Sequence, residues 1–409
     1  MLYDAIVVGA GPAGSTAART LAREGASVLL LDRARFPRDK PCGGGVTLRA
    51  AACQDVDLGP VIERTVTGAR FSLRLGETFE RRFEAPLSYM TQRRCLDAHL
   101  AAAAADAGAE FHDGEPLREI ELSPNGGSGL SPSPRVTART ASGASYDARA
   151  LIGADGANGV VARSLFGHAY RQAGGRRSEE AVALEGNVRY PQGVPADWRE
   201  FVGLDLGGLA GGYGWVFPKG DHLNVGVGAW KYAAFTLRPK LAGLCRRYGF
   251  DPKAVEGLRG HHLPVRLPGS TIAKGPVALA GDAAGLIDPL SGEGIHMAFE
   301  SGRLAARATL KLLSGEAPDL TLYQRAVDRR LQPELTLARK LQELFHFAPP
   351  PYVAMMRRSE RFWRFFCHLI RGELTYLDFV RMIGPLGLAV DVFATLAQRR
   401  RTARLAAMR

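Results

Sequence analysis

Apolar positions along the chain follow two distinct rhythms. The opening LYDAIVVGA is a short apolar run, AGSTAARTLAREG carries small and apolar residues at helical spacing, and SVLLLDR is a second run; together they predict strand, helix and strand. From Glu63 to Phe83 the period becomes two, and RTVTGARFSLRLGETFERRF predicts short strands with a hairpin at Gly76. An alanine-rich helix is expected from about Arg94 to Ala107. SPNGGSGLSPSP, Ser123 to Pro134, is read as a flexible surface loop between two strands of a meander and is given no chemistry.

The strand–turn–helix rhythm returns in ARALIGADGANGVVARSL and where PVALAGD runs into GIHMAFESGRLAARATLKLL, whereas Ala181 to Trp230 is rich in strands and glycines. From about Thr321 onward the pattern is mostly helical. Such interleaving predicts an α/β (α+β) protein: a Rossmann-like domain assembled from residues 1–60, 92–180 and 265–320, an antiparallel β-sheet substrate domain inserted from 61–91 and 181–264, and a C-terminal helical region over 321–409. No internal repeat is visible.

With 46% hydrophobic and 23% charged residues in 409, the chain can bury a sizeable core. Its cysteines, Cys42, Cys53, Cys95, Cys245 and Cys367, are scattered without a C-x-x-C pair, so no metal site or redox dithiol is expected and a reducing cytoplasm fits. The first residues lack the basic leader of a secretion signal and read as a strand. A net charge of +12 is compatible with nucleic acid, an acidic membrane surface or an anionic substrate. Aromatic residues do not interleave with the basic ones, which argues against nucleic acid. The one dense cluster, Arg399, Arg400, Arg401, Arg404 and Arg409, follows MIGPLGLAVDVFATLA, Met382 to Ala397. That run is shorter than the roughly 20 residues of a membrane span. Two readings follow: an interfacial helix giving peripheral contact with the inner face of the membrane, or a terminal helix packed on its own domain.

Chemistry concentrates in a few glycine-bearing turns. In Gly9-Ala10-Gly11-Pro12-Ala13-Gly14, the first glycine allows a tight turn off the strand, the second lets backbone approach a pyrophosphate and the third permits close helix packing. Asp32 ends the next strand 18 residues beyond Gly14, close to the spacing of a carboxylate that binds a ribose hydroxyl. Asp155-Gly156 and Gly281-Asp282 stand at similar strand ends, and Asp288-Pro289 precedes Gly292-Glu293-Gly294, where a long helix opens with Ile295. Asp282 is placed to accept from the polyol joining a pyrophosphate to a ring, and the helix would aim its positive end at that ring.

Two further stretches bear on the substrate. PRDKPCGGG, Pro37 to Gly45, sets the single thiol of Cys42 between a proline and three glycines. Tyr213, Trp215 and Phe217 alternate, so in a strand they share one face, either as an aromatic wall for a greasy extended substrate or as filling of the sheet core. Pro218-Lys219-Gly220-Asp221 reads as the closing hairpin, with Lys219 and Asp221 as turn residues.

These motifs resemble the FAD-binding motifs of the p-hydroxybenzoate hydroxylase-like flavoproteins over roughly residues 1–315. The resemblance implies FAD, bound by Gly9, Gly11, Pro12, Ala13, Gly14, Asp32, Arg33, Cys42, Gly43, Asp155, Gly156, Gly281, Asp282, Gly292, Gly294 and Ile295. It also implies that Arg93 in TQRRCLDAHL lies near the pyrophosphate, with Arg94 as the adjacent alternative. Within that superfamily, PRDKPCGGG matches P-x-x-x-x-C-G and YGWVFP matches Y-x-W-x-F-P, both typical of the geranylgeranyl reductase family. Flavin-dependent halogenases carry W-x-W-x-I-P, and Tyr213 stands where their first Trp would be. Chlorophyll-type reductases resemble KPCGGAIPL in the cysteine loop, whereas this chain reads KPCGGGVTLRA, which weighs against a chlorophyll substrate.

What the resemblance implies is an FAD-dependent reductase that saturates C=C bonds of a geranylgeranyl or related isoprenoid chain on a lipid, quinone or pigment. NADPH, NADH and ferredoxin all remain open as electron donor. Substrate contacts fall to Tyr213, Trp215 and Phe217, and Cys42 is the catalytic candidate, as proton donor or positioning group, against a role as a packed small residue. His296 is read as structural. Two other readings remain: an FAD- and NAD(P)H-dependent aromatic or polyketide monooxygenase, and a membrane-associated flavin electron-transfer protein.

Overall fold

The computed structural model describes residues 2–123, 135–166, 180–382, 384 and 386–407. The loop expected over Ser123 to Pro134 lies outside them from residue 124 onward, as does Arg409.

Strands Leu2–Val8, Val28–Leu31, Glu110–His112, Ser145–Gly153 and Val277–Leu279 form the parallel centre of the first sheet, in the order Val277–Leu279, Ser145–Gly153, Leu2–Val8, Val28–Leu31, Glu110–His112. A parallel sheet is covered on both faces, so its strands read as continuous apolar runs instead of alternating, and all four residues of Val28–Leu31 are indeed buried. Helices Pro12–Arg23 and Ile295–Leu313 pack together over one face, close enough that a Cβ on Gly302 would fall 2.2 Å from the Ala13 carbonyl oxygen. The βαβ unit and the later strand–turn–helix units therefore share one sheet.

The second sheet has seven strands in the order Val255–Pro264, Glu180–Arg189, His222–Trp230, Gly212–Pro218, Phe201–Leu209, Gly68–Leu73, Thr78–Arg82. It is antiparallel except where Phe201–Leu209 meets Gly68–Leu73, a parallel pair. No hairpin joins those two strands, which come from distant parts of the chain, so nothing local imposes the antiparallel sense. Of residues 61–91, only Gly68–Leu73 and Thr78–Arg82 enter this sheet; Ser88–Met90 is the centre of a separate three-stranded sheet, flanked by Gly45–Thr47 and Arg64–Val66. The hairpin forms where expected, but its left-handed residues are Arg74 and Leu75, at φ 53° and 62°, and not Gly76. Buried Asp205 holds that turn by accepting from the Leu75 amide at 2.7 Å and the Ser72 hydroxyl at 2.7 Å.

One face of the large sheet packs on helix Leu237–Arg247 through Val216, Val225, Leu241 and Leu244. Helices Pro349–Arg358 and Glu360–Arg371 cover its far edge, where Trp363, fully buried, meets Phe71. The last helix, Leu386–Ala407, packs on Gln332–Phe347, and Arg401 pairs with Glu343 at 3.1 Å while Arg400 lies over the Phe347 ring. Those two arginines are thus engaged by their own domain. No helix among the described residues is long and apolar enough to cross a membrane.

Candidate active site

The glycine turn after the first strand is shaped by backbone. Gly9 has φ +99°, and a Cβ there would sit 2.4 Å from the Ala154 carbonyl oxygen, because the turns after strands Leu2–Val8 and Ser145–Gly153 lie side by side. Helix Pro12–Arg23 starts with no side-chain cap and no acidic residue in its first turn, so its amides are left for an anion. The space in front of Gly11 is flanked by two guanidinium groups, Arg38 and Arg93, 3.5 and 3.9 Å from where a Gly11 Cβ would be. Asp32, buried at the strand end, accepts from the Ala10 amide at 2.8 Å and the Ala34 amide at 2.9 Å. A carboxylate has about four acceptor positions, so capacity remains for a ribose hydroxyl. A pyrophosphate with an attached nucleoside fits this cradle.

Arg93, at the first position of helix Arg93–Asp106, is buried and held by Asp97 through two 2.8 Å bonds, whereas Arg94 is exposed. Arg38, which the sequence reading did not single out, bonds Asp97 at 2.7 Å and lies 3.8 Å from Asp32, while Arg33 is exposed. Lys40 bonds Asp282 at 2.8 Å; burial would raise that carboxyl, but the Lys40 ammonium and His261 hold it well below the usual carboxylate range. Asp282 lies at the mouth of the long helix, 3.5 Å from where a Gly294 Cβ would be. Asp155 Oδ2 accepts from the Val160 and Val161 amides, capping helix Val160–Phe166, and its Oδ1 is buried with no hydrogen-bond partner among the described residues. Gly156 beside it takes the left-handed turn at φ +79°.

The cysteine loop meets the aromatic strand directly. A Cβ on Gly43 would lie 2.8 Å from the Phe217 ring and 3.1 Å from Trp215 Nε1, and one on Gly44, at φ +65°, would lie 2.0 Å from the Thr91 carbonyl oxygen. Two of the three glycines are therefore required by contact. At the other end of the same strand, the Tyr213 hydroxyl donates to the Ser291 carbonyl at 2.5 Å, against the Gly292 turn. The strand spans about 13 Å between those residues at ~3.3 Å per residue. The three rings share one face, with centroids 6.2 and 6.4 Å apart. Ile295 packs in one apolar cluster with Val46, Leu96 and Phe299, and Cys42 borders it. Cys42, the wall and the start of the long helix thus come together.

Half-buried Cys42 faces a cavity of about 450 Å³ walled by Arg93, Arg94, Glu185, Lys219 and Asn224 among others; the three aromatic rings are not among its walls. Lys219 stands in the hairpin turn as expected, its amide bonded to the His222 carbonyl at 2.8 Å, but its side chain does more: it is 2% exposed and its Nζ donates to the Gly43 carbonyl at 2.6 Å. Burial brings its ammonium down to about 8. Glu185, 8% exposed, accepts from the Cys42 amide at 2.6 Å, and burial pushes its carboxyl from 4.5 up to about 7. Asn224 links this group to the wall by accepting from Trp215 Nε1 at 2.8 Å. His296 is buried and neutral, brought to about 3 by burial and by Arg49.

A carboxyl raised in the folded state stabilises the fold fully below its unfolded pKa, and that contribution is lost as pH rises through the folded value. For Glu185 the window runs from 4.5 to about 7 and corresponds to on the order of 3 kcal/mol. Glu185→Gln, which stays neutral, is expected to melt progressively higher than the native protein as pH rises through that window, with the gap level above it. A melting difference independent of pH would contradict this account.

Comparison with known proteins points the same way. Residues 2–176 match a family described as an FAD binding domain. The chain is 32% identical over 364 residues to the chloroplastic geranylgeranyl diphosphate reductase of Oryza sativa subsp. japonica, covering 83% of this chain and 74% of that protein. It is 34% identical over 368 residues to a menaquinone reductase of Mycolicibacterium smegmatis, covering 83% and 86%. Among solved structures, a geranylgeranyl bacteriochlorophyll reductase-like protein from Thermoplasma acidophilum superposes with a TM-score of 0.74 at 25% identity, over 88% of this chain and 92% of that one. A flavin-dependent brominase, at 18% identity and a TM-score of 0.65 over 91% and 94%, shares the fold alone.

Proposed function

The chain belongs to the geranylgeranyl reductase family of FAD-dependent oxidoreductases, and we propose that it saturates C=C bonds of a geranylgeranyl or related isoprenoid chain carried on a lipid, quinone or pigment. The observation that carries this reading is the seating of the Cys42–Gly43 loop on Trp215 and Phe217, which joins the two motifs of the family in one place. The prenyl chain lies along the wall between the Gly292 turn and the cysteine loop, where aromatic faces shed water from a greasy substrate.

Bound FAD supplies the hydride for one alkene carbon. Gly9, Gly11 and the amides of Ala13 and Gly14 seat its pyrophosphate with Arg38 and Arg93, Asp32 takes the ribose, and Asp282 the polyol. An isolated double bond is not polarised by a carbonyl, so a proton must be held ready for the second carbon, and Cys42 Sγ holds it. The Gly44 amide lies 3.4 Å from that sulfur and fixes its direction. The test is anaerobic incubation of the reduced protein with geranylgeranyl diphosphate and with menaquinone, read by mass. A gain of two hydrogens per reduced double bond is expected; no mass gain there, with oxygen uptake and a hydroxylated product in a parallel aerobic incubation, would replace this reading by a monooxygenase.

Peripheral membrane contact through the C-terminal helices belongs to the same proposal. Met382, Val392, Phe393 and Leu396 are exposed there, the last three along one side of helix Leu386–Ala407, with exposed Arg381 and Arg399 near them in sequence. Apolar side chains beside cations suit an anionic lipid surface. Phe393→Glu with Leu396→Glu is expected to lower sedimentation with phosphatidylglycerol vesicles on the order of tenfold. Equal sedimentation of variant and native protein would remove this surface.

A further inference from the structure

We propose that Glu185 and Lys219 are positioning residues for Cys42, reaching from the large sheet to hold the main chain of the Cys42–Gly43 segment. The proposal rests on the reading of Cys42 as the proton-holding group. A stretch written Cys-Gly-Gly-Gly has wide conformational freedom, and its pairing in the small sheet begins only at Gly45. Residues 42 and 43 therefore need partners from elsewhere, and side chains provide them. Glu185 Oε1 accepts from the Cys42 amide at 2.6 Å, and Lys219 Nζ donates to the Gly43 carbonyl at 2.6 Å. The thiol is held between those two anchors.

Both anchors are ionisable side chains with exposures of 8% and 2%, a placement that costs desolvation and is rare without a paired function. Each is directed at the main chain of the loop, Glu185 at the Cys42 amide and Lys219 at the Gly43 carbonyl. The titratable groups around them are Asp39 and Lys219 for Glu185, and Glu63, Glu185 and Cys42 for Lys219. Burial moves both toward neutrality, bringing the Glu185 carboxyl to about 7 and the Lys219 ammonium to about 8. Asn224 bonds both Glu185 and Trp215, so the chain Trp215–Asn224–Glu185–Cys42 couples the aromatic wall to the loop.

The experiment uses the FAD-loaded full chain. Glu185→Ala and Lys219→Met are expected to slow oxidation of the reduced protein by geranylgeranyl diphosphate or menaquinone by about 10- to 100-fold, with FAD content unchanged, since small misplacement of a reacting group costs that much. Added to Cys42→Ala, neither should slow it further, because a positioning residue has nothing left to position. Glu185→Gln, whose amide oxygen still accepts from the Cys42 amide, should stay closer to the native rate than Glu185→Ala and lose the pH limb near neutrality.

A second arm needs no substrate. Alkylation of Cys42 by iodoacetamide, followed by peptide mass, should change by about tenfold in Glu185→Ala and Lys219→Met, as expected for a thiol released from its anchors, while Cys53 and Cys95 in the same samples do not change. Additive losses in the Cys42→Ala background, or unchanged Cys42 alkylation, overturn the proposal. If the native protein reduces neither prenyl probe, the functional reading falls while the alkylation arm still decides the positioning. If Glu185→Ala does not accumulate with FAD, Glu185→Asp, with its carboxyl withdrawn by one methylene, takes its place in both arms.

Discussion

Cys42→Ser is expected to keep FAD bound and to slow alkene reduction by about 10²- to 10³-fold, the range lost when a general acid is replaced by a far weaker one. Serine matches the size of cysteine, so the loop can keep its contacts: the Cys42 amide on Glu185, the Gly43 carbonyl on Lys219 and Gly43 against Phe217. The hydroxyl, however, holds its proton far more tightly than a thiol. The decisive comparison is between two half-reactions in one protein: reduction by the electron donor should be unaffected, and oxidation by the prenyl substrate should carry the whole loss. Native rates in both would leave Cys42 as a small residue in a tight loop and move the proton to another group on the cavity wall.

The second large effect concerns the cofactor. Gly9→Ala would place a methyl group 2.4 Å from the Ala154 carbonyl oxygen and 2.9 Å from the Asp155 amide nitrogen, at a φ of +99° that alanine rarely adopts. All of these are backbone atoms of neighbouring turns in the parallel sheet and cannot move aside as a flexible side chain would. We expect loss of FAD and a destabilisation of about 3 kcal/mol or more. Gly45→Ala is the control: its methyl would meet only the Met90 and Phe217 side chains at 3.5 Å, so bound FAD and melting temperature should stay near native. Retention of full FAD by Gly9→Ala would mean that the turn is not shaped by the contact with Ala154.

The parts of the site that could be read from the chain were those whose reason is local. The glycine turn with Asp32, the alternation that puts Tyr213, Trp215 and Phe217 on one face, and the helix opening at Ile295 each depend on residues a few positions apart. Lys219 shows the limit. In Pro-Lys-Gly-Asp it has the local composition of a turn, yet its partner is a carbonyl 176 residues away. Glu185 sits in an ordinary strand, and nothing near it in sequence announces a bond to an amide 143 residues away. Asp155 illustrates the converse, since a strand-end Asp-Gly is equally a turn and a helix cap, and the structure shows its carboxylate on the amides of Val160 and Val161.

By itself, the sequence determined that a doubly wound domain built for a dinucleotide alternates with a strand-rich insertion, because hydrophobic period and glycine spacing are local quantities that burial selects residue by residue. Tertiary structure alone decided that PRDKPCGGG rests on Trp215 and Phe217, that Arg38 faces the phosphate turn, and that a buried glutamate and lysine hold the cysteine loop. Those contacts follow from how the edge of one sheet is set against the loops of the other. That relation is created only when many distant segments are buried together, so no single segment carries it.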